Sequence, residues 1–128
     1  LTKKKIKLNL KLTDVGEVVW DKTQMTQVFI NLFENAISAV ADNGEISIDV
    51  AERKEKQVEI IFADNGKGVS PNNLKRIFNL YFTTKSKGSG IGLSIVQKII
   101  SEHNGLISVQ SEPNKGTIFT IILPKYFS

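Results

Sequence analysis

One carboxylate in this chain stands where a strand is predicted to end and a flexible segment to begin. Residues 63–70 read ADNGKGVS and follow the apolar run 58–62. Asn and Gly tolerate positive φ, so an Asp-Asn-Gly turn is a common way to leave a strand. Taken alone, the segment predicts a turn, and a binding role for Asp64 depends on what else lies beside it.

A second candidate is a stripe of amide side chains on a predicted helix. At 100° per residue, one sector of this helix collects the polar residues Gln24, Gln27, Asn31, Asn35, Ser38 and Asp42. A polar stripe is usually the solvated face of an amphipathic helix. Asn is a poor helix former, however, and carbonyl oxygens at i and i+4 can converge on a hard cation. On this helix alone both interpretations stay open.

The third candidate is the glycine-rich segment 88–93, GSGIGL, which precedes a well-patterned helix. Backbone N–H groups at such a helix start can hold phosphates. The segment is not a dinucleotide-binding fingerprint, because no apolar strand leads into it and Leu93 occupies the third glycine position. Flexible-linker composition is the alternative interpretation of Gly88, Gly90 and Gly92.

Alternation and turn residues predict the elements that must hold these three segments. Strands are expected at 5–12, 17–20, 46–50, 57–63, 106–111 and 117–123. Helices are expected at 23–42 with Thr23 as N-cap, at 71–79 after the N-cap Ser70, and at 91–103. This mixed order predicts an α/β sandwich, in which three helices cover one face of a mixed, mostly antiparallel sheet of about five strands.

The composition is that of one globular domain over residues 1–128, because 41% of the residues are hydrophobic and 23% are charged. The sequence has no cysteine, which excludes disulfides and Cys-based metal sites. No apolar stretch approaches the roughly 20 residues that span a bilayer. We therefore expect a cytoplasmic domain. Because the sequence begins with Leu1, we also expect a fragment of a longer protein, other parts of which could be membrane-bound.

The net charge of +4 and the pI of about 9.3 raise the possibility of a nucleic-acid surface. Much of the excess positive charge lies in Lys5, Lys7 and Lys11. These lysines alternate with apolar residues, as in a strand with one solvent-exposed face. No aromatic residues are interleaved to stack on bases. We therefore expect no nucleic-acid partner.

Taken in order, these segments resemble the Bergerat ATP-binding fold of DNA gyrase, a chaperone class, mismatch-repair ATPases and histidine kinases. From about residue 16 to 124 the chain is similar to the catalytic ATP-binding domain of a sensor histidine kinase. The family's N box, G1 box, F box and G2 box correspond to residues 31–36, 64–68, 77–85 and 88–93. The stretches YFTTK and GLSIVQKIISEHNG are similar to the nitrogen-regulation branch.

The resemblance implies ATP and Mg²⁺ as ligands and assigns residues to each part of them. Asp64 would accept a hydrogen bond from the adenine amine, and Thr117 would help to hold the adenine through water. Asn35 would bind Mg²⁺, and Asn31 would line the phosphates. The remaining nucleotide contacts would be Gly66, Gly68, Gly88, Gly90, Gly92 and Leu93.

A mobile loop completes the site in this family. Residues 79–90 would form an ATP lid, with Phe78 and Phe82 anchoring it in the core. Many relatives carry a basic phosphate-binding residue where this chain has Ser38, and Lys85 is the nearest substitute. Glu34 is the carboxylate nearest to Asn31, about 60° away on the helix. The expected catalytic residues are therefore Asn31, Glu34 and Lys85.

The resemblance also implies partners, because the phosphoacceptor histidine of a kinase is missing. His103 is the only histidine, and its place at a helix C-terminus suits the helix dipole, so we expect a structural role. The acceptor would lie on a dimerisation domain of the same kinase, which would pass phosphate to a response regulator. The full kinase would be a homodimer and this fragment a monomer. The alternatives are a conformational ATPase, which would carry a glutamate where Asn31 stands, and a regulatory nucleotide-binding module. An anti-sigma-factor serine kinase is disfavoured by the F box.

Overall fold

The computed structural model describes residues 4–54, 56–78 and 92–126. Its elements in chain order are β1 Ile6–Leu12, α1 Lys22–Ala39, β2 Gly44–Arg53, β3 Gln57–Asp64, α2 Pro71–Leu74, α3 Gly92–Glu102, β4 Leu106–Glu112 and β5 Gly116–Pro124. The five strands form one sheet in the order β1-β2-β3-β5-β4. Only β1 and β2 pair in parallel, so the predicted sandwich with a mixed, mostly antiparallel sheet is confirmed.

The main core lies between α1, α3 and the central strands. The register places alternate residues of β3 and β5 opposite each other on the helix-covered face, as in the pairs Ile60–Ile121 and Phe62–Phe119. These strand residues pack against buried side chains of the two helices, which are Met25, Val28 and Leu32 of α1 and Val96, Ile99 and Ile100 of α3. No helix within the described ranges is long and apolar enough to cross a bilayer.

Helix α1 begins and ends earlier than the sequence predicts. Asp21 is the N-cap, because its side chain accepts a hydrogen bond of 2.9 Å from the Gln24 N–H; the prediction of Thr23 was wrong. At the other end Val40 leaves the helix in an extended conformation and is buried beside Ala36 and Ile46. Burial of Val40 therefore ends the helix at Ala39, before the predicted residue 42.

The predicted strand at 17–20 is wrong. Val19 makes only an isolated bridge to Tyr126, with a 2.7 Å hydrogen bond from the Val19 N–H to the Lys125 carbonyl. Trp20 fixes the segment instead, because its indole N–H donates to the Pro124 carbonyl at 2.8 Å. A side-chain hydrogen bond thus holds this segment where strand pairing was predicted.

The short helix and the helix before the last hairpin agree with their predicted caps. The Ser70 hydroxyl accepts from the Asn73 N–H, and Pro71 follows at the first helical position. Helix α2 is only four residues long and ends at Leu74, and residues 75–78 form turns, so the predicted continuation of this helix to residue 79 was wrong. Asn104 ends α3 with a left-handed φ of 61°.

Strand β1 is present as predicted, but both of its faces are exposed. Leu8, Leu10 and Leu12 point to the helix side of the sheet, yet they are 45%, 55% and 63% exposed. Because β1 is the edge strand and α1 packs over β3, no described helix covers these leucines. Only Ile6 is half-buried in this strand.

Candidate functional site

The strand register brings three polar side chains together at one end of the helix-covered face. Asp64, the last residue of β3, is paired with Thr117 of β5, and Thr117 is paired with Ser111 of β4. All three continue the inward-facing rows that hold the core further along the same strands. Thr117 is only 4% exposed. We call Asp64, Thr117 and Ser111 the polar floor.

Asp64 is partly removed from water on this floor. Its Oδ1 accepts a hydrogen bond of 2.8 Å from the Gly66 N–H. Burial raises the pKa of the Asp64 carboxyl above its ordinary value of 3.8, while hydrogen bonds from the backbone of Gly66 and Thr117 partly offset that rise. A ligand that donates a hydrogen bond here would favour the charged form.

Ser111 links the floor to the loop after β3, and sequence reasoning missed it. Its Oγ accepts from the Val69 N–H at 2.8 Å, donates to the Gly116 carbonyl at 2.8 Å, and lies 2.9 Å from the Thr117 hydroxyl. The alternation of β4 places Ser111 on the inward face. Only the register between β4 and β5 shows that it lies beside Thr117.

The glycines of the loop after β3 approach other parts of the chain. A Cβ on Gly66 would lie 2.5 Å from the Ala39 carbonyl oxygen, which also accepts a 3.0 Å hydrogen bond from the Lys67 N–H. Gly68 has a φ of +69°, and a Cβ there would overlap the Glu112 carbonyl oxygen. These contacts account for both glycines within the fold itself. Their approach to a nucleotide stays a prediction.

Replacing Gly68 by Ala is expected to lower the free energy of unfolding by about 2–5 kcal/mol, because left-handed strain and overpacking add. Gly16 is the matched control. Its φ is +77°, but a Cβ there meets no atom within 4 Å. Gly16→Ala should therefore cost only the strain, about 1–2 kcal/mol. Urea unfolding of both variants measures the difference, and equal losses would contradict the contact with Glu112.

The amide stripe of α1 joins the helix to the start of α3. The Asn31 Nδ2 donates to the Gly92 carbonyl at 3.2 Å, and its Oδ1 accepts from the Gln27 side chain at 2.8 Å. Asn35, one turn later, is half-buried and makes no side-chain hydrogen bond within the described parts of the chain. Glu34 is exposed to solvent.

Helix α1 therefore connects two parts of the candidate site. Asn31 contacts the start of α3, whereas the Ala39 carbonyl contacts the loop at Gly66 and Lys67. Eight residues of helix separate these contacts by about 12 Å along the axis. Asn35 lies between them. The site thus extends along α1 from the loop after β3 to the start of α3.

Several predicted residues either fall outside the described structure or contact the core. Lys85, Gly88, Gly90, Phe82 and the lid segment 79–90 lie outside the described residues. Leu93 is half-buried and packs against the main core. Phe78 contacts Phe119 edge-on, with ring centroids 6.2 Å apart. The structure therefore gives Leu93 and Phe78 packing contacts, and a nucleotide contact of Leu93 stays a prediction.

His103 is 1% exposed and uses both ring nitrogens inside the protein. Its Nε2 accepts from the Asp21 N–H at 3.0 Å, and its Nδ1 lies 2.9 Å from the Ile99 carbonyl, to which it donates. A nitrogen that accepts from an amide carries no proton, so the ring is neutral in this arrangement. His103 thus joins the end of α3 to the N-cap of α1.

Residues 20–126 match the family model described as histidine kinase-, DNA gyrase B-, and HSP90-like ATPase. The match includes the polar floor, the amide stripe of α1 and the start of α3. The chain therefore belongs to this ATPase family.

Individual relatives narrow the assignment to histidine kinases. Sensor histidine kinase ZraS of Salmonella typhimurium is 47% identical over 104 residues, which cover 81% of this chain and 22% of that protein. Sporulation kinase E of Bacillus subtilis is 40% identical over 113 residues, covering 88% of this chain and 15% of that protein. The chain thus spans less than a quarter of the length of either relative.

A solved structure of similar size agrees with these relatives. The nucleotide-free catalytic domain of histidine kinase ThkA superposes with a TM-score of 0.83 and 35% identity, covering 94% of this chain and 80% of that one. The predicted catalytic domain of a sensor histidine kinase is therefore confirmed. Its likeness to the nitrogen-regulation branch stays a prediction.

Proposed function

We propose that this domain binds ATP with Mg²⁺ and transfers the γ-phosphate to a histidine on a separate dimerisation domain of the same kinase. The observation that carries the proposal is the polar floor, where a partly buried carboxylate lies beside a buried hydroxyl. A response regulator would then receive the phosphate in two-component signalling. The domain would act in the cytoplasm, as a monomeric part of a dimeric kinase.

Asp64 is suited to recognise a base with an amino group at position 6. Its free carboxylate oxygen can accept a hydrogen bond from that amine. Guanine has an oxygen at the same position, which would face the carboxylate without a proton between them. Because unpaired buried polar groups are costly, such a site rejects the wrong partner strongly.

The phosphates would then extend along α1 toward the start of α3. Asn31 and Gly92 already lie together at this end of the site. We assign four further residues to this phosphate-binding end of the site: Lys85, Gly88, Gly90 and, at the end of the G2 box, Leu93. Gly66 and Gly68 belong to the base end of the site, beside Asp64.

Asn35 suits a magnesium ion bound mainly by phosphates. Its amide oxygen is a hard ligand on the polar stripe of α1, and no described residue donates a hydrogen bond to it. No group of three or more His, Cys, Asp or Glu side chains that could hold a metal occurs in residues 4–54, 56–78 and 92–126. Mg²⁺ keeps several waters and needs only one or two protein ligands when phosphates bind it. When bound, the ion would neutralise phosphate charge.

Catalysis by this chain's own residues would consist of positioning. The floor would orient the base, and Asn31 would hold the start of α3 against the phosphates. Glu34 lies exposed beside the stripe, where it could assist the acceptor histidine rather than a water. Phosphoryl transfer needs little covalent chemistry from the protein, so alignment and charge neutralisation suffice.

Transfer to a separate acceptor tests this proposal. The domain is incubated with γ-labelled ATP, Mg²⁺ and a phosphoacceptor-helix domain of a related sensor kinase. We expect acid-labile label on the acceptor, and none when the acceptor histidine is replaced by Gln. Calorimetric titration with ATP–Mg²⁺ is run in parallel. Absence of ATP binding would overturn the proposal, and binding without transfer to any acceptor would favour a regulatory nucleotide-binding module.

A further inference from the structure

The side chain of Gln27 holds the Asn31 amide in one orientation. Gln27 lies one turn before Asn31 on α1, and its Nε2 donates a hydrogen bond of 2.8 Å to Asn31 Oδ1. We propose that Gln27 is a positioning residue for the phosphate end of the site, which turns the N–H side of Asn31 toward the start of α3. The inference rests on the nucleotide site proposed above and adds a residue that acts through Asn31.

The donors and acceptors of the three groups determine the direction of both hydrogen bonds. The Gly92 carbonyl can only accept, so the Asn31 atom that lies 3.2 Å from it is Nδ2. Asn31 Oδ1 then faces the other way, toward Gln27, and an amide oxygen can also only accept. Gln27 must therefore present its own NH₂ group to Asn31. Both side chains thus donate in the same direction, from Gln27 toward α3.

The part of Asn31 that stays unused suits an anion. An amide nitrogen carries two hydrogens, and the Gly92 carbonyl takes only one of them. No other described residue accepts from Asn31 Nδ2. The second N–H is therefore available to a phosphate oxygen beside the start of α3. The amide dipoles of Gln27 and Asn31 both point their positive ends to this place, which also favours a bound anion.

The opposite orientation of Asn31 is unfavourable at both of its contacts. If the amide turned over, Asn31 Oδ1 would face the Gly92 carbonyl and Asn31 Nδ2 would face the NH₂ group of Gln27. Two acceptors would then meet at one end and two donors at the other. If Gln27 could only accept, it would draw Asn31 Nδ2 toward itself and away from Gly92. The donor at position 27 is thus what keeps the N–H side of Asn31 directed to the phosphate end.

A hydrogen-bonded pair at i and i+4 can also do no more than stabilise its helix. A contact that acts only on the helix would change the affinity for every ligand of the site by the same factor. A contact that orients Asn31 for phosphates would change only the affinity for ligands that carry them. Ligands with and without phosphates therefore distinguish the two roles.

The test compares ATP–Mg²⁺ with adenosine, which has the base but no phosphates. Affinities are measured by calorimetry for the unmodified domain and for Gln27→Glu, which keeps the side-chain length but cannot donate at neutral pH. We expect Gln27→Glu to bind ATP–Mg²⁺ roughly three- to tenfold more weakly, the equivalent of one hydrogen bond, and to bind adenosine as before. Gln110→Glu adds the same charge on the exposed outer face of β4 and is the matched control.

An added negative charge would also repel phosphates, so the comparison is repeated in an Asn31→Ala background. There Gln27→Glu has no amide to turn, and only the repulsion remains. We expect a smaller loss of ATP–Mg²⁺ affinity in this background than in the presence of Asn31. Gln27→Met removes the donor without adding a charge, and it should weaken ATP–Mg²⁺ binding about twofold only when Asn31 is present.

The outcomes separate this inference from the proposed function. If the unmodified domain binds no ATP, the nucleotide site fails and this inference with it. If it binds ATP but Gln27→Glu leaves the affinity unchanged, or weakens ATP–Mg²⁺ and adenosine equally, the inference alone is overturned. An equal loss with and without Asn31 would also contradict it, because Gln27→Glu would then act by its charge and not through Asn31.

Discussion

Replacing Asp64 by Asn is expected to weaken ATP binding roughly ten- to a hundredfold. The Asn amide can turn an N–H toward the adenine amine, which leaves two donors facing each other in a partly buried site. An unsatisfied polar group costs about 1–3 kcal/mol, which corresponds to this loss of affinity. Calorimetric titration of the variant with ATP–Mg²⁺ measures it. Unchanged affinity would show that Asp64 is not at the base.

Asp49→Asn is the matched control, because Asp49 is half-buried on the opposite face of the sheet and should leave ATP affinity unchanged. Loss of binding must also be separated from loss of folding. Because burial raises the folded pKa of Asp64 above its unfolded value, the free energy of unfolding falls as pH rises from 3.8 through the folded pKa. The neutral Asn avoids that fall. At neutral pH the nucleotide-free variant should therefore melt no earlier than the unmodified domain.

Without an acceptor domain, this chain is expected to hydrolyse ATP very slowly and to carry no phosphohistidine. Hydrolysis needs a base that takes a proton from water, and a positioned base contributes roughly 10²–10⁴-fold to a rate. Asn31 cannot serve as that base. Its amide has no basic site, and it is already bonded to Gln27 and Gly92.

The same experiment tests His103 as an acceptor. Both of its ring nitrogens are bonded within a 1% exposed side chain, so phosphorylation would require the Asp21 or Ile99 contact to break. The domain is incubated with γ-labelled ATP, and released phosphate and acid-labile protein label are scored separately. Rapid hydrolysis that Glu34→Gln abolishes would favour a conformational ATPase. Label on His103 would contradict its structural role.

The sequence predicted the central sheet well because its inward-facing rows are apolar along the strands as far as the polar floor at their ends. In β3 and β5 the alternation of apolar and polar residues decides which face of each strand is buried. The same alternation places Asp64 and Thr117 on that face, in the candidate site. The N-cap was missed because Asp21 and Thr23 can both cap, and the structure pairs Asp21 with Gln24. A single sequence does not show which of two possible N-cap residues accepts the hydrogen bond from the unpaired backbone N–H in the first turn of the helix.

Ser111 and β1 were less predictable because they depend on neighbours that are distant in sequence. The role of Ser111 requires the pairing of β4 with β5, together with the contact to Val69. For β1, alternation shows which side of the strand is apolar, but it does not show whether a helix covers that side. The edge position leaves Leu8 and Leu10 exposed.

The exposed edge strand has a consequence for how the domain opens. Strand β1 is held to the described sheet by a parallel ladder with β2, and releasing it would uncover little apolar surface beyond Ile6. Segments with few buried contacts unfold locally at a small fraction of the global free energy. The polar floor lies on β3, β5 and β4, at the far side of the sheet from β1. Fraying of β1 would thus be a separate cooperative event, which leaves the half of the domain that carries the polar floor folded.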